Sequence, residues 1–158
     1  MMNKFKIVIK DNFFLSENDT NIFTGIYIDS MGVCFPDGQW TDFVEFILGT
    51  WLHNLLKEKN SINTKFSLYF MDGPYRLDVY KNSNMQLDIN CISARDVDKI
   101  EHKFSCTYSV FLQELYSAIE TFNQILYNKN MYKGEYENAY KQTIIFMEKI
   151  KEEREKMT

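Results

Sequence analysis

The hydrophobic positions of this chain change period several times, and each change marks an element. In FKIVIK, Phe5, Ile7 and Ile9 alternate with Lys4, Lys6 and Lys10. That is the period-two signature of a half-buried strand with a lysine-guarded outer face. The stretch NIFTGIYIDS predicts a second strand, and GVCFP a third, short one ended by Pro36. From Thr41 or Asp42 to Lys57 the period lengthens: Val44, Ile47, Leu48, Trp51, Leu52 and Leu55 form one broad apolar stripe, as in an amphipathic helix. Thr41 or Asp42 is placed to cap that helix, and Asp42 with Glu45 has the spacing of a capping box. Trp40 is expected to fold back on the helix it precedes, and Trp51 to pack with Leu48, Leu52 and Leu55.

Four further alternating runs follow. Phe66, Leu68 and Phe70 share one face, and MDGPY then turns the chain at Gly73 and Pro74. Leu77 and Val79, then Leu87, Ile89 and Cys91, then Ile100, His102, Phe104 and Cys106 are expected to point inward. Short connections between alternating strands predict an antiparallel meander. Two helices close the chain. One carries the stripe Phe111, Leu112, Leu115, Ile119, Phe122 and Leu126; the other, weaker stripe is Tyr136, Tyr140, Thr143, Met147 and Ile150. The pattern predicts a single α+β domain over residues 1–158, an antiparallel sheet with helices packed on one face. The charge-rich ending EKIKEEREKMT is expected to fray over about its last ten residues.

Composition adds that a core can be filled. Of 158 residues, 45% are hydrophobic and 16% aromatic, far from the balance of a disordered chain. Lys6 and Lys10 interrupt any apolar run at the N-terminus, so it does not read as a signal peptide. No uninterrupted apolar stretch approaches a membrane span. Cys34, Cys91 and Cys106 are odd in number and set among apolar residues, which suits free thiols in a reducing cytoplasm.

Candidate chemistry is sparse. His53 and His102 have no second ligand at metal spacing on their own elements, so neither a metal nor a cofactor is expected. His102 reads as a core histidine with its hydrogen bond satisfied. Glu101 and Lys103 form an acid-x-lysine pair on a strand, with Asp88 and Glu45 on other elements. Nucleases of the PD-(D/E)xK type use such a set to hold a metal at a scissile phosphate, and half-exposed alternation also produces it by default. No glycine-rich phosphate loop occurs. With a net charge of −4 and no basic stripe, neither nucleic acid nor membrane is expected as a partner.

Charge placement says more. Between Asp11 and Leu56 there is no Lys or Arg, while Asp11, Glu17, Asp19, Asp29, Asp37, Asp42 and Glu45 all fall there, leaving the rest of the chain net positive. This half is either a solvated acidic face or a surface for docking a basic protein. On the sheet's outer face, Tyr69, Arg76, Asp78, Tyr80, Gln86, Asp88 and Asn90 give a second candidate interface.

Phe35–Pro36, Trp40, Asp42–Phe43, Trp51 and FMDGP at 70–74 resemble the corresponding features of small bacterial immunity proteins from polymorphic or contact-dependent toxin systems. The resemblance covers roughly the first half of the chain. It implies a cytoplasmic, non-enzymatic α+β protein that binds and neutralises a cognate toxin domain, and it transfers no binding residue. With the acidic half it marks Asp29, Asp37, Asp42, Glu45, Tyr69, Asp78 and Tyr80 as partner-binding candidates. The alternatives are a metal-dependent nuclease and a structural module of a larger assembly.

Overall fold

The computed structural model describes residues 4–14, 21–83 and 85–157. Among the described residues, eight antiparallel strands and three α-helices make an α+β domain, with the strands divided between two sheets. The first sheet holds β1 (Phe5–Phe14), β2 (Phe23–Ser30), β3 (Val33–Phe35) and β4 (Thr41–Phe43). β2 pairs with β1 along one side, and its other side is shared: β3 takes Ile28–Ser30 and β4 takes Phe23–Gly25. Met31 and Gly32, both at positive φ, turn β2 into β3, the backbone that a two-residue hairpin turn requires. The second sheet is the expected meander of β5 (Thr64–Tyr69), β6 (Tyr75–Lys81), β7 (Gln86–Ser93) and β8 (Lys99–Thr107).

Helix α1 (Val44–Lys57) packs on β2 and β5, and α2 (Tyr108–Asn128) on β1 and β8, so the two helices lie against both sheets. A 3-10 turn, Gly134–Tyr136, leads into α3 (Glu137–Lys156), which packs on α1 and α2. The stripes predicted for α1 and α2 are buried throughout. Thr107 caps α2, its hydroxyl accepting from the Val110 N–H at 3.1 Å. α3 runs into the charge-rich ending as far as Lys156. Ile150 and Glu153 are buried on it, and Glu153 pairs with Lys59 at 3.2 Å.

The start of α1 corrects an expectation. Thr41 and Asp42 do not cap the helix. Both are spent pairing β4 with β2, Phe43 takes the cap position, and no side chain caps there. Trp40 also departs from the helix it precedes. Its ring lies on the β5–β6 turn, edge-on to Tyr75 with centroids 5.1 Å apart, where a Cβ on Gly73 would come within 2.7 Å of it. Trp51 is fully buried as expected, edge-on to Phe70, with its indole N–H donating to the Tyr69 carbonyl at 2.9 Å.

On β8 the inward set ends early. Cys91 faces His102, but Ile92 faces Ile100, so the ladder skips Glu101. This β-bulge turns Ile100 to the outer face, where it is exposed. β6 shows the reverse surprise. Lys81 has the parity of Leu77 and Val79 and is buried with them, its ammonium donating to the Ser61 carbonyl and lying 5.8 Å from the Tyr108 ring centre. Burial pulls that ammonium below its ordinary pKa, with Glu58 partly opposing.

Replacing Trp51 with Ala removes a fully enclosed ring and leaves the Tyr69 carbonyl unpaired. The expected loss of stability is roughly 3–5 kcal/mol by chemical denaturation. A loss below about 1 kcal/mol would show that the stripe of α1 does not face the core.

Candidate functional site

The outer face of the second sheet is the surface on which strand alternation gathers polar and aromatic side chains in register. Lys65 pairs across to Tyr80 and on to Asp88 and Ser105. Ser67 pairs to Asp78, Asn90 and Lys103, and Tyr69 to Arg76, Ile92 and Ile100. Because side chains two apart share a face, these three rows form one continuous grid.

Asp78 is the centre of the grid and is buried despite facing outward. Arg76 roofs it, with Nε donating to one carboxylate oxygen at 2.8 Å and Nη2 to the other at 3.2 Å; Ser67 donates at 2.8 Å, and Lys65 stands 3.6 Å away. The same guanidinium holds Asp98, from the β7–β8 connection, at 2.8 Å. Desolvation pushes the Asp78 carboxyl up, but the hydrogen bonds from Arg76 and Ser67, with the charges of Arg76 and Lys65, outweigh it and hold the group below the ordinary range. The hydrogen bond from Arg76 lowers Asp98 too, and the two carboxylates hold the guanidinium firmly protonated. Arg76 is thus fixed as a fork rather than left as a mobile chain. Tyr69 and Tyr80, on either side, are exposed. Lys65, Arg76 and Lys103 balance Asp78, Asp88 and Asp98, so the face carries charges of both signs.

The acidic candidates of the N-terminal half do not behave as one surface. Asp42 is fully buried, so it is structural rather than part of a surface. Its Oδ2 accepts from the Trp40 indole N–H at 3.0 Å and from the N–H groups of Met71 and Asp72 at 3.0 and 3.1 Å, while Oδ1 accepts from Phe43 N–H at 2.8 Å. Asp29, near the end of β2, and Asp37, in the turn after β3, accept from the N–H groups of Gly32 and Gln39. Folding also returns lysines to them: Lys6 is the cross-strand partner of Asp29, and Lys10 donates to the Gly38 carbonyl beside Asp37. Asp11 pairs with Lys129 at 2.9 Å. Glu45 is half-buried between α1 and α3, and burial raises its carboxyl. Glu17 and Asp19 lie outside the described residues.

The nucleophile and metal candidates are placed as follows. Cys91 and His102 are cross-strand neighbours that do not hydrogen-bond to each other, and burial pushes the Cys91 and Cys106 thiols up to about 12. Thiols so held stay protonated and unreactive near neutrality. His102, expected as a satisfied core histidine, is half-buried, and its Nε2 has no hydrogen-bond partner among the described residues. The acid-x-lysine pair straddles the bulge at Glu101, and Asp88 accepts from Ser105 at 2.7 Å. Among the described residues, no three of His, Cys, Asp and Glu come together in a group able to hold a metal, and no helix is long and apolar enough to cross a membrane. No family model, curated protein or solved structure matches the chain.

The sequence pattern placed Tyr69, Arg76, Asp78 and Tyr80 on one face but gave no sign of Asp98 as the second hold on Arg76. That contact comes from a loop that strand periodicity does not reach.

Two outcomes are expected. Asp42→Asn presents an N–H group to at least one donor in either amide orientation and removes the charge, so it should cost about 2–3 kcal/mol in urea denaturation. Stability should also fall at alkaline pH. Above the ordinary thiol value of 9.0 the unfolded chain releases protons that folded Cys91 and Cys106 keep until about 12, a loss of about 1.4 kcal/mol per pH unit per group. Tyr108, raised by burial, adds to the loss; Lys81, lowered, opposes it below 10.5. Denaturation midpoints that hold steady from pH 8 to 11 would contradict this balance.

Proposed function

We propose that the protein is a non-enzymatic binding protein of the immunity type, which neutralises a cognate toxin domain by docking it on the outer face of the β5–β8 sheet. One observation carries this reading: the half-buried Arg76 fork, fixed between Asp78 and Asp98, shares the outer face of the sheet with exposed Tyr69 and Tyr80. Arginine and tyrosine are the residues that most often dominate binding energy at protein interfaces. A pre-ordered guanidinium also loses little freedom when a partner arrives. The mixture of charges suits a polar, mixed-charge partner surface better than a uniformly basic one, and it disfavours docking by partners of the wrong pattern. The cytoplasmic location that such a protein needs is part of the same proposal.

A second reading, electrostatic steering by the acidic half, keeps one supporting observation, namely that Asp37 is exposed. Both readings are separated by one experiment, with the toxin domain taken from the large secreted protein expected to be encoded beside this chain. Calorimetry should show tight binding that Tyr80→Ala weakens by about tenfold or more. The combined variant Asp29→Asn, Asp37→Asn, Glu45→Gln should associate at the wild-type rate across a salt series. If that variant instead slows association several-fold at low salt while Tyr80→Ala binds normally, docking belongs to the acidic half. Absence of any binding by the wild-type chain would remove the immunity reading.

A further inference from the structure

Helix α3 meets α1 through a glycine. A Cβ on Gly49 would stand 2.9 Å from the Cζ of Phe146, so only a residue without a side chain lets that ring come so close. The cleft opens on both sides of this contact. One hollow, of about 300 Å³, is lined by His53, Lys57 and Lys149. The other, of about 450 Å³, is lined by Phe43, Phe46 and Phe146 together with Glu45. The cleft is therefore polarised along its length, with bases at one end and a lone acid among rings at the other.

Glu45 is half-buried and makes neither a hydrogen bond nor an ion pair among the described residues. A carboxylate drawn out of water without a partner is costly, and a cation beside it removes that cost. Phenylalanine rings attract cations and cover apolar carbon. Further acceptors line the hollow. The Thr50 hydroxyl donates to the Ile47 carbonyl at 3.2 Å and keeps lone pairs free, and Asn138 and Gln142 bring amide oxygens. A hydrated metal ion would leave the apolar carbon of the rings uncovered, and a neutral apolar ligand would leave the carboxylate unpaired. We propose that this hollow binds a small organic ammonium ion, its charged head at Glu45 and its apolar body against Phe43, Phe46 and Phe146. The site is separate from the β5–β8 face and stands whether or not a toxin partner exists.

The test uses the full chain and three probes of known charge: 2-phenylethylammonium, its neutral counterpart 2-phenylethanol, and Nα-acetyl-lysine amide. In a titration followed by amide chemical shifts, 2-phenylethylammonium should saturate with shifts centred on α1 and α3. 2-Phenylethanol should bind at least about tenfold more weakly, because it lacks the charge that pairs with Glu45. Glu45→Gln, which keeps shape, should reduce ammonium binding to the level of the alcohol. Phe46→Leu, at an exposed position where folding is not at stake, should weaken the ammonium probe about threefold or more and leave the alcohol unchanged. Equal binding of the charged and neutral probes, unaltered binding in Glu45→Gln, or no saturable shift in wild type would each overturn the proposal. Equal binding of the lysine derivative would overturn the small-molecule assignment in favour of a lysine side chain from a protein.

Discussion

The carboxylate of Asp42 joins parts of the fold that are otherwise distinct. It sits on β4, the last strand of the first sheet, and reaches the backbone of Met71 and Asp72, in the turn that opens the second. Between them stands Trp40, whose indole N–H ends on the same oxygen and whose ring lies against Tyr75. Hydrophobic burial alone would let two sheets slide over one another, because it has no direction. A fully buried acceptor with four directed donors does not allow that, since any slip strands polar groups away from water. Around this tie the aromatic contacts from Phe35 to Phe70 and Tyr75 fall into place. The helix begins where it does because β4 must first deliver Asp42.

Much of the architecture was legible because it rests on period. The α1 stripe, the β1 alternation and the inner residues of β5, β6 and β7 follow from spacings of 3.6 and 2, which sequence displays directly. What was misread depended on partners far along the chain. Asp42 looked like a cap because it precedes a helix, but two of its four donors, Met71 and Asp72, lie some thirty positions on. Ile100 was given the wrong face because a bulge is one extra residue, which periodic counting cannot distinguish from none. Lys81, which received no reading from the pattern, has the parity of an inward residue and a charge that opposes burial. The structure resolves the conflict with a carbonyl and an aromatic ring.

The candidate site was legible only in part, for the same reason. Alternation put Tyr69, Arg76, Asp78 and Tyr80 on one face. The rigidity that makes Arg76 interesting needs Asp98, which comes from a connection. Conversely, the acidic half looked like a surface only while the chain was read in a line. Antiparallel pairing lays Lys6 beside Asp29, brings Lys10 to Gly38 and leaves Asp42 in the core. Runs of charge in sequence describe a surface only when the chain does not fold back on itself.

The bulge at Glu101 has an effect beyond the side chain it redirects. β8 is the last strand in the order of its sheet, and a long, regular last strand is a template onto which another copy of the chain can add its own backbone. Skipping a residue twists that border and breaks the even spacing of its free amide and carbonyl groups. β1, at the border of the other sheet, has its own irregularity between Lys10 and Phe14. Each sheet is thus interrupted on an outermost strand, with Lys99 and Lys103 on β8 and Lys6 and Lys10 on β1. Irregular, lysine-bearing border strands of this kind disfavour edge-to-edge pairing, and the bulge that hid Ile100 from periodic counting lies on one of them.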